Sequence, residues 1–193
     1  SFVDGNNLMF IYCIFVHCVD KGRGNQQGKG LGLALLQEAE KEAHAAGKKG
    51  IVAWGLTQPF WMPAAFFEKH GYVEIDRIEN RALVWKPFSE AAKAPKWYRR
   101  TDKPLVLDGD KMTVTAFVSG WCMGQNIVYE WAKALAKEYG DKVTYREIIT
   151  TERNVVADWG IADAIFVNNE QLMGPPMSYE DVKEVFERHL SNQ

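Results

Sequence analysis

The sequence predicts a mixed α/β chain built as two small units. Three observations carry this. A Gly-rich loop joins an apolar, strand-like run to an amphipathic helix within residues 8–47. A proline- and charge-rich stretch, Pro87–Pro104, then interrupts the pattern. Beyond it, a second alternation of strand and helix runs from Met112 to a capped helix near the end. Alternation of this kind belongs to α/β or α+β domains.

The elements follow in order. Leu8–Val16 is rich in Phe, Ile and Val and reads as a buried strand. The loop DKGRGNQQGKGLG comes next. Leu31, Leu35, Ala39 and Ala43 then recur on an amphipathic helix, and Gly47 is placed to end it as a C′ residue. Ile51–Trp54 is a short strand. Pro63–His70 is a helix stopped by Gly71, and Tyr72–Asp76 and Arg81–Lys86 are two further strands. The order is β-α-β-α-β-β. Pro87–Pro104 holds three prolines and seven charged residues without a period, and reads as a linker. In the second unit Met112–Ser119 is a strand, Asn126–Tyr139 a helix ending at Gly140, and Lys142–Ile149 a strand. Thr151–Trp159 is ambiguous between a loop and a short helix. Ala164–Val167 and Gln171–Met173 form a hairpin, and Ser178 with Asp181 caps a helix running to Leu190. The boundaries are 1–86, a linker over 87–104, and 105–193.

Composition narrows the function. Of the 193 residues 47% are apolar and 25% charged, with net charge −2. That balance gives no global field toward nucleic acid or anionic lipid. The longest apolar run, Leu8–Val16, is too short to span a bilayer and lacks the flanks of a signal peptide. Three cysteines, Cys13, Cys18 and Cys122, point to reduced thiols in a cytoplasm. Cys13, His17 and Cys18 raise a metal site, but Cys18 falls on the opposite strand face and no second ligand cluster accompanies them, so no metal is expected.

The chemistry sits in Gln27-Gly28-Lys29-Gly30-Leu31-Gly32, between a strand and a helix. Glycines allow close backbone approach, and the helix N-terminus adds partial positive charge. The combination suits a phosphate or pyrophosphate, with Lys29 as an added point charge. A Walker loop is excluded by spacing, and the dinucleotide fingerprint lacks its acidic residue after Ile51–Trp54.

Gln27, Gly30 and Gly32 match the Gln/Arg-x-x-Gly-x-Gly/Ala loop of GNAT acetyltransferases, which this segment resembles. Leu35-Leu36 and Phe66-Phe67-Glu68-Lys69-His70-Gly71-Tyr72 are similar to further features of that family. The resemblance covers Leu8–Lys86. It implies the acetyl-coenzyme A-binding half of a mixed GNAT sheet, transferring acetyl directly to an amine of a small molecule or protein. Gly28–Gly32 would hold the pyrophosphate, Ile14, Phe15 and Val16 would flank the pantetheine, and Phe67 would lie at the cofactor. Phe67 stands where the family often has a tyrosine acid, which leaves Tyr72 and Cys13 as candidates. GNAT domains carry strands and helices before the first one here, so an N-terminally truncated domain is expected. Its Leu8–Val16 edge should be covered by a second copy, by the C-terminal domain or by the Pro87–Pro104 strap.

The second unit resembles the thioredoxin and glutaredoxin fold, a βαβ-ββα order. Trp121-Cys122-Met123-Gly124-Gln125 stands where those families keep Cys-x-x-Cys, with Gln125 in place of the second cysteine. Asp163 stands at the cis-proline position. A monothiol redox or glutathione-binding role for Cys122 is the alternative function, and a non-catalytic coenzyme A- or partner-binding protein a third. The pairing of the two units, with Tyr12–Val16 and Pro95-Lys96-Trp97, is similar to the YoaP-like acetyltransferases.

Overall fold

The computed structural model describes residues 2–59, 61–172 and 178–191. Among them are five α-helices and three β-sheets, a mixed α/β architecture. The chain divides into two compact units, Val3–Trp97 and Tyr98–Gln193 together with Ser1–Phe2. The division falls inside the stretch Pro87–Pro104.

The first unit begins with β1 (Val3–Asp4) and β2 (Leu8–Ile11). Helix α1 (Leu31–Ala45) carries the chain across to β3 (Gly50–Leu56), which pairs with β2 in parallel. Helix α2 (Ala64–Lys69) follows, then β4 (Val73–Ile78) and β5 (Arg81–Pro87). Strand β5 inserts between β3 and β4, antiparallel to both, so the sheet order is β2-β3-β5-β4. Last comes β6 (Lys96–Trp97), which pairs with β1 as a separate ribbon. A bulge at Glu74/Asp76 turns the Asp76 carboxylate out of register, where it accepts the Trp97 N–H at 2.9 Å. A Cβ on Gly5 would lie 2.9 Å from the side chains of both Leu8 and Pro95.

Two expectations change here. The ladder of the first strand stops at Ile11, and residues 12–19 have no regular structure. The packed face of α1 is also shifted. Leu36 and Ala43 are fully buried, while Leu31 and Leu35 are 43% and 49% exposed. Steps of four residues overshoot a helical turn by about 40°, so a run spaced by four drifts off any single face. Leu36 and Ala43, two turns apart, stay on it. Lys86 fastens the helix to the sheet by donating to both oxygens of Glu40, at 3.0 and 3.1 Å, and to the His70 carbonyl. The ends of the helices fall where the glycines predict: Gly47 and Gly71 take φ +63° and +86°.

In the second unit β7 (Met112–Val118) leads into α3 (Met123–Tyr139), β8 (Val143–Ile149) and α4 (Arg153–Trp159). The hairpin β9 (Ala164–Val167) and β10 (Glu170–Leu172) and helix α5 (Tyr179–Ser191) complete it. The Met173 end of the predicted hairpin lies outside the described residues. The order is β10-β9-β7-β8, with β7 parallel to β8 and antiparallel to β9. Met112, Val114 and Ala116 of β7 meet Val128, Ala132 and Leu135 of α3 and Val182 and Phe186 of α5 in one core. The Ser178 hydroxyl and backbone N–H both donate to Asp181, which caps α5.

Helix α4 ends at Gly160, which has φ +64° and packs against the Arg99 backbone where a Cβ would have to sit. The left-handed conformation alone costs a side chain about 1–2 kcal/mol. We expect Gly160→Ala to lower unfolding stability by more than about 2 kcal/mol in denaturant titrations, because overlap with backbone adds to that cost. An unchanged midpoint would contradict this.

Candidate functional site

The site is built where β2 and β3 part. Their ladder runs from Leu8↔Gly50 to Ile11↔Ala53 and goes no further. Past that point two side chains take over the backbone groups of the departing segment. The Trp54 indole N–H donates to the Tyr12 carbonyl at 2.8 Å, and the Ile14 N–H donates to the Met62 sulfur at 3.4 Å. Trp54 is itself packed edge-on against Trp61, centroids 5.3 Å apart. Residues 12–16 are therefore held beside β3 but out of its ladder. Ile14 and Val16 are half-buried and Phe15 is 60% exposed.

The segment next turns through a closed loop. The Gln26 N–H donates to the His17 carbonyl at 2.8 Å, and the His17 ring bonds to the Lys21 carbonyl. His17 thus closes the loop, and no group of three metal-ligating side chains occurs among the described residues. Gln26 does more here than Gln27. Its amide donates to the carbonyls of Arg23 and Gly24, and its oxygen accepts from the Lys29 ammonium at 3.0 Å. Gln27 is exposed, its N–H held by the Asn25 side chain.

Gly28 and Gly30 take φ +73° and +79°, and nothing lies within 4 Å of where their Cβ atoms would be. Gly30 is the N-cap of α1, and no side chain caps it. No side chain therefore caps the first-turn N–H groups of this 15-residue helix, and Lys29 immediately precedes its N-cap. Two residues on, a Cβ at Gly32 would lie 3.7 Å from the Phe66 ring and 3.9 Å from Val16. This approach joins the two halves of the site: the splayed segment, the loop and α2 meet at Gly32. An anion fits this cradle, because its donors are backbone groups on open positive-φ glycines.

The other candidates fall elsewhere. Phe67 is fully buried, packed on Phe66 and Tyr72, and Phe66 is the ring that faces Gly32. Tyr72 is also core, 3% exposed. Burial first, then the Glu40 carboxylate, push its hydroxyl well above the ordinary phenol range, which makes it a poor proton donor. Cys13 is exposed. Trp54 and Met62, which prop the segment, escaped sequence reasoning; their only signal is an indole and a thioether after a strand.

In the second unit Cys122 is the N-cap residue of α3 and is half-exposed, beside a groove of about 390 Å³ lined by Gly120, Trp121, Met123, Ile127 and Trp131. Asp163 lies at the start of β9. Ser119 donates to one of its oxygens at 3.1 Å, and the other is buried with no hydrogen-bond partner among the described residues. Burial pushes this carboxyl up to about 7, against a lowering by Ser119.

Neither a protein-family model nor a curated protein matches the chain. No helix among the described residues is long and apolar enough to cross a membrane.

The raised Asp163 carboxyl has a signed consequence for stability. Its folded form prefers the proton, so its favourable contribution is present below the unfolded value near 4 and is lost as pH rises toward about 7. Asp163→Asn should remove that loss. We expect the variant to gain on the parent between pH 5 and pH 7 by at most about 1.4 kcal/mol per pH unit, read from denaturant titrations. A pH-independent difference would contradict the assignment.

Proposed function

We propose that the Val3–Trp97 unit binds acetyl-coenzyme A and that the chain is an N-acetyltransferase acting on an amine. The observation that carries the reading is the meeting of three features at Gly32: an open glycine cradle at a helix N-terminus, a strand splayed from its neighbour, and the Phe66 ring. A ligand with a pyrophosphate at one end and an extended, peptide-like arm at the other fits that sequence of surfaces. The sheet order β2-β3-β5-β4 with a parallel first pair supports a GNAT half-domain, and the order β10-β9-β7-β8 supports a thioredoxin-like second unit.

In this reading Gly28–Gly32 and the positive end of α1 bind the pyrophosphate, with Lys29 positioned by Gln26 as a further charge. Ile14–Val16 line the pantetheine arm, and a backbone N–H of that segment meets the thioester carbonyl oxygen. The thioester would supply an activated acetyl carbon: a C–N bond would form to the amine as the C–S bond breaks, the sulfur would leave with the electron pair, and the proton given up by the amine would pass through solvent to that thiolate, leaving an amide and free coenzyme A. Phe67 has no proton to exchange, and Tyr72 holds its own too tightly. A reducing compartment suits both this co-substrate and three cysteines that form no disulfide.

Coenzyme A at about 100 times its dissociation constant should stabilise the fold by about 2.7 kcal/mol and raise the melting temperature by several degrees. Gly30→Ala places a methyl group in the open space of the cradle and should at least halve the rise, beyond its own intrinsic cost of about 1–2 kcal/mol. No rise at millimolar coenzyme A, or an equal rise in the variant, would overturn the reading.

A further inference from the structure

Trp54 and Met62 prop the same segment with acceptor and donor bonds of unequal strength. An indole N–H on a carbonyl is an ordinary hydrogen bond. A thioether is a weak acceptor. Ile14 N–H is thus held by an acceptor that any carbonyl oxygen would outcompete. The Met62 backbone, by contrast, is fixed. Its carbonyl accepts the Leu56 N–H at 2.8 Å and lies 3.0 Å from where a Gly55 Cβ would be, and the residue as a whole, side chain included, is buried. It also sits at φ +46°, a conformation that costs a side chain of this kind about 1–2 kcal/mol. The backbone is tied by the bond from Leu56 at a left-handed φ, while the side chain is unbranched with three rotatable bonds, so the thioether is the part of the residue with freedom to change rotamer.

We infer that Met62 is a positioning residue for the acyl group: in the free chain its sulfur keeps the place on the Ile14 N–H that an acyl carbonyl oxygen takes when a thioester lies along residues 12–16. This rests on the acetyl-coenzyme A reading above. The thioether occupies the Ile14 N–H until a ligand arrives. It swings aside only for a ligand that brings a better acceptor. An acyl carbonyl therefore displaces the thioether where free coenzyme A leaves it in place, although the two share every contact of the pyrophosphate loop, and the displaced bond lowers the preference for the acylated form.

The test compares acetyl-coenzyme A with coenzyme A on the full chain, following the Ile14 amide and the Met62 methyl group by NMR and the affinities by calorimetry. The account expects acetyl-coenzyme A, and not coenzyme A, to move the Ile14 amide proton downfield and to shift the Met62 methyl signal. In Met62→Leu, which keeps the bulk and removes the acceptor, the preference for acetyl-coenzyme A over coenzyme A should rise about 2- to 10-fold. The two NMR signals belong to the parent chain, so they decide the matter even if the variant folds poorly. Equal responses to both ligands, or equal affinity changes in Met62→Leu, overturn the role of Met62 and leave the acetyl-coenzyme A reading standing. Binding of neither ligand overturns both.

Discussion

The first unit depends on one interruption: the point past Ile11 and Ala53 where two parallel strands stop pairing. A parallel ladder is favourable to continue, so a break needs replacement partners for the backbone groups it frees. Trp54 and Met62 supply them. Both come from β3 or just beyond it, and their side chains fill the space that a continued ladder would have closed. The segment is left extended, half-buried and accessible. Everything proposed for the unit, from the arm-binding surface to the role of Met62, follows from the ladder ending there and from these two side-chain bonds.

Held-open backbone has a cost, and the surroundings show how it is met. Met62 adopts a left-handed conformation, and Gly55 has room for no side chain, because the Ala64 backbone lies 2.7 Å from its Cβ position. The close approach of β3 and the start of α2 then fixes Met62, while Phe67 of α2 anchors that helix in the core. The close contact of β3 and α2 lies beside the segment that leaves the ladder. The cradle is open and built of glycines, where a polar ligand needs backbone donors and not side-chain bulk.

Local signals in the sequence carry well into the structure, and distant ones do not. Gly47, Gly71 and the Ser178–Asp181 cap act within a turn of the helix they end or begin, so their roles can be read from neighbouring residues. The Gly28–Gly32 loop is legible for the same reason. The end of the β2 ladder is not, because Trp54 and Met62 stand 42 and 48 residues from the groups they hold. Nor is the β1–β6 ribbon, whose two-residue strands are too short to show a period. Leu31 and Leu35 mislead because spacing by four imitates a face that a helix of 3.6 residues per turn does not keep. Helix α3 begins at Met123, ahead of the expected Asn126, because Gly124 in its first turn masks the start.

The central claim is that the glycine loop and the splayed segment form one binding surface. A titration of the isotope-labelled chain with coenzyme A, followed through backbone amide signals, tests it most directly. Signals of Gly28–Gly32 and Tyr12–Val16 should move together with one dissociation constant, while those of Met112–Ser191 stay in place. Movement confined to the residues around Cys122, movement of the loop without the segment, or no movement at all would contradict it.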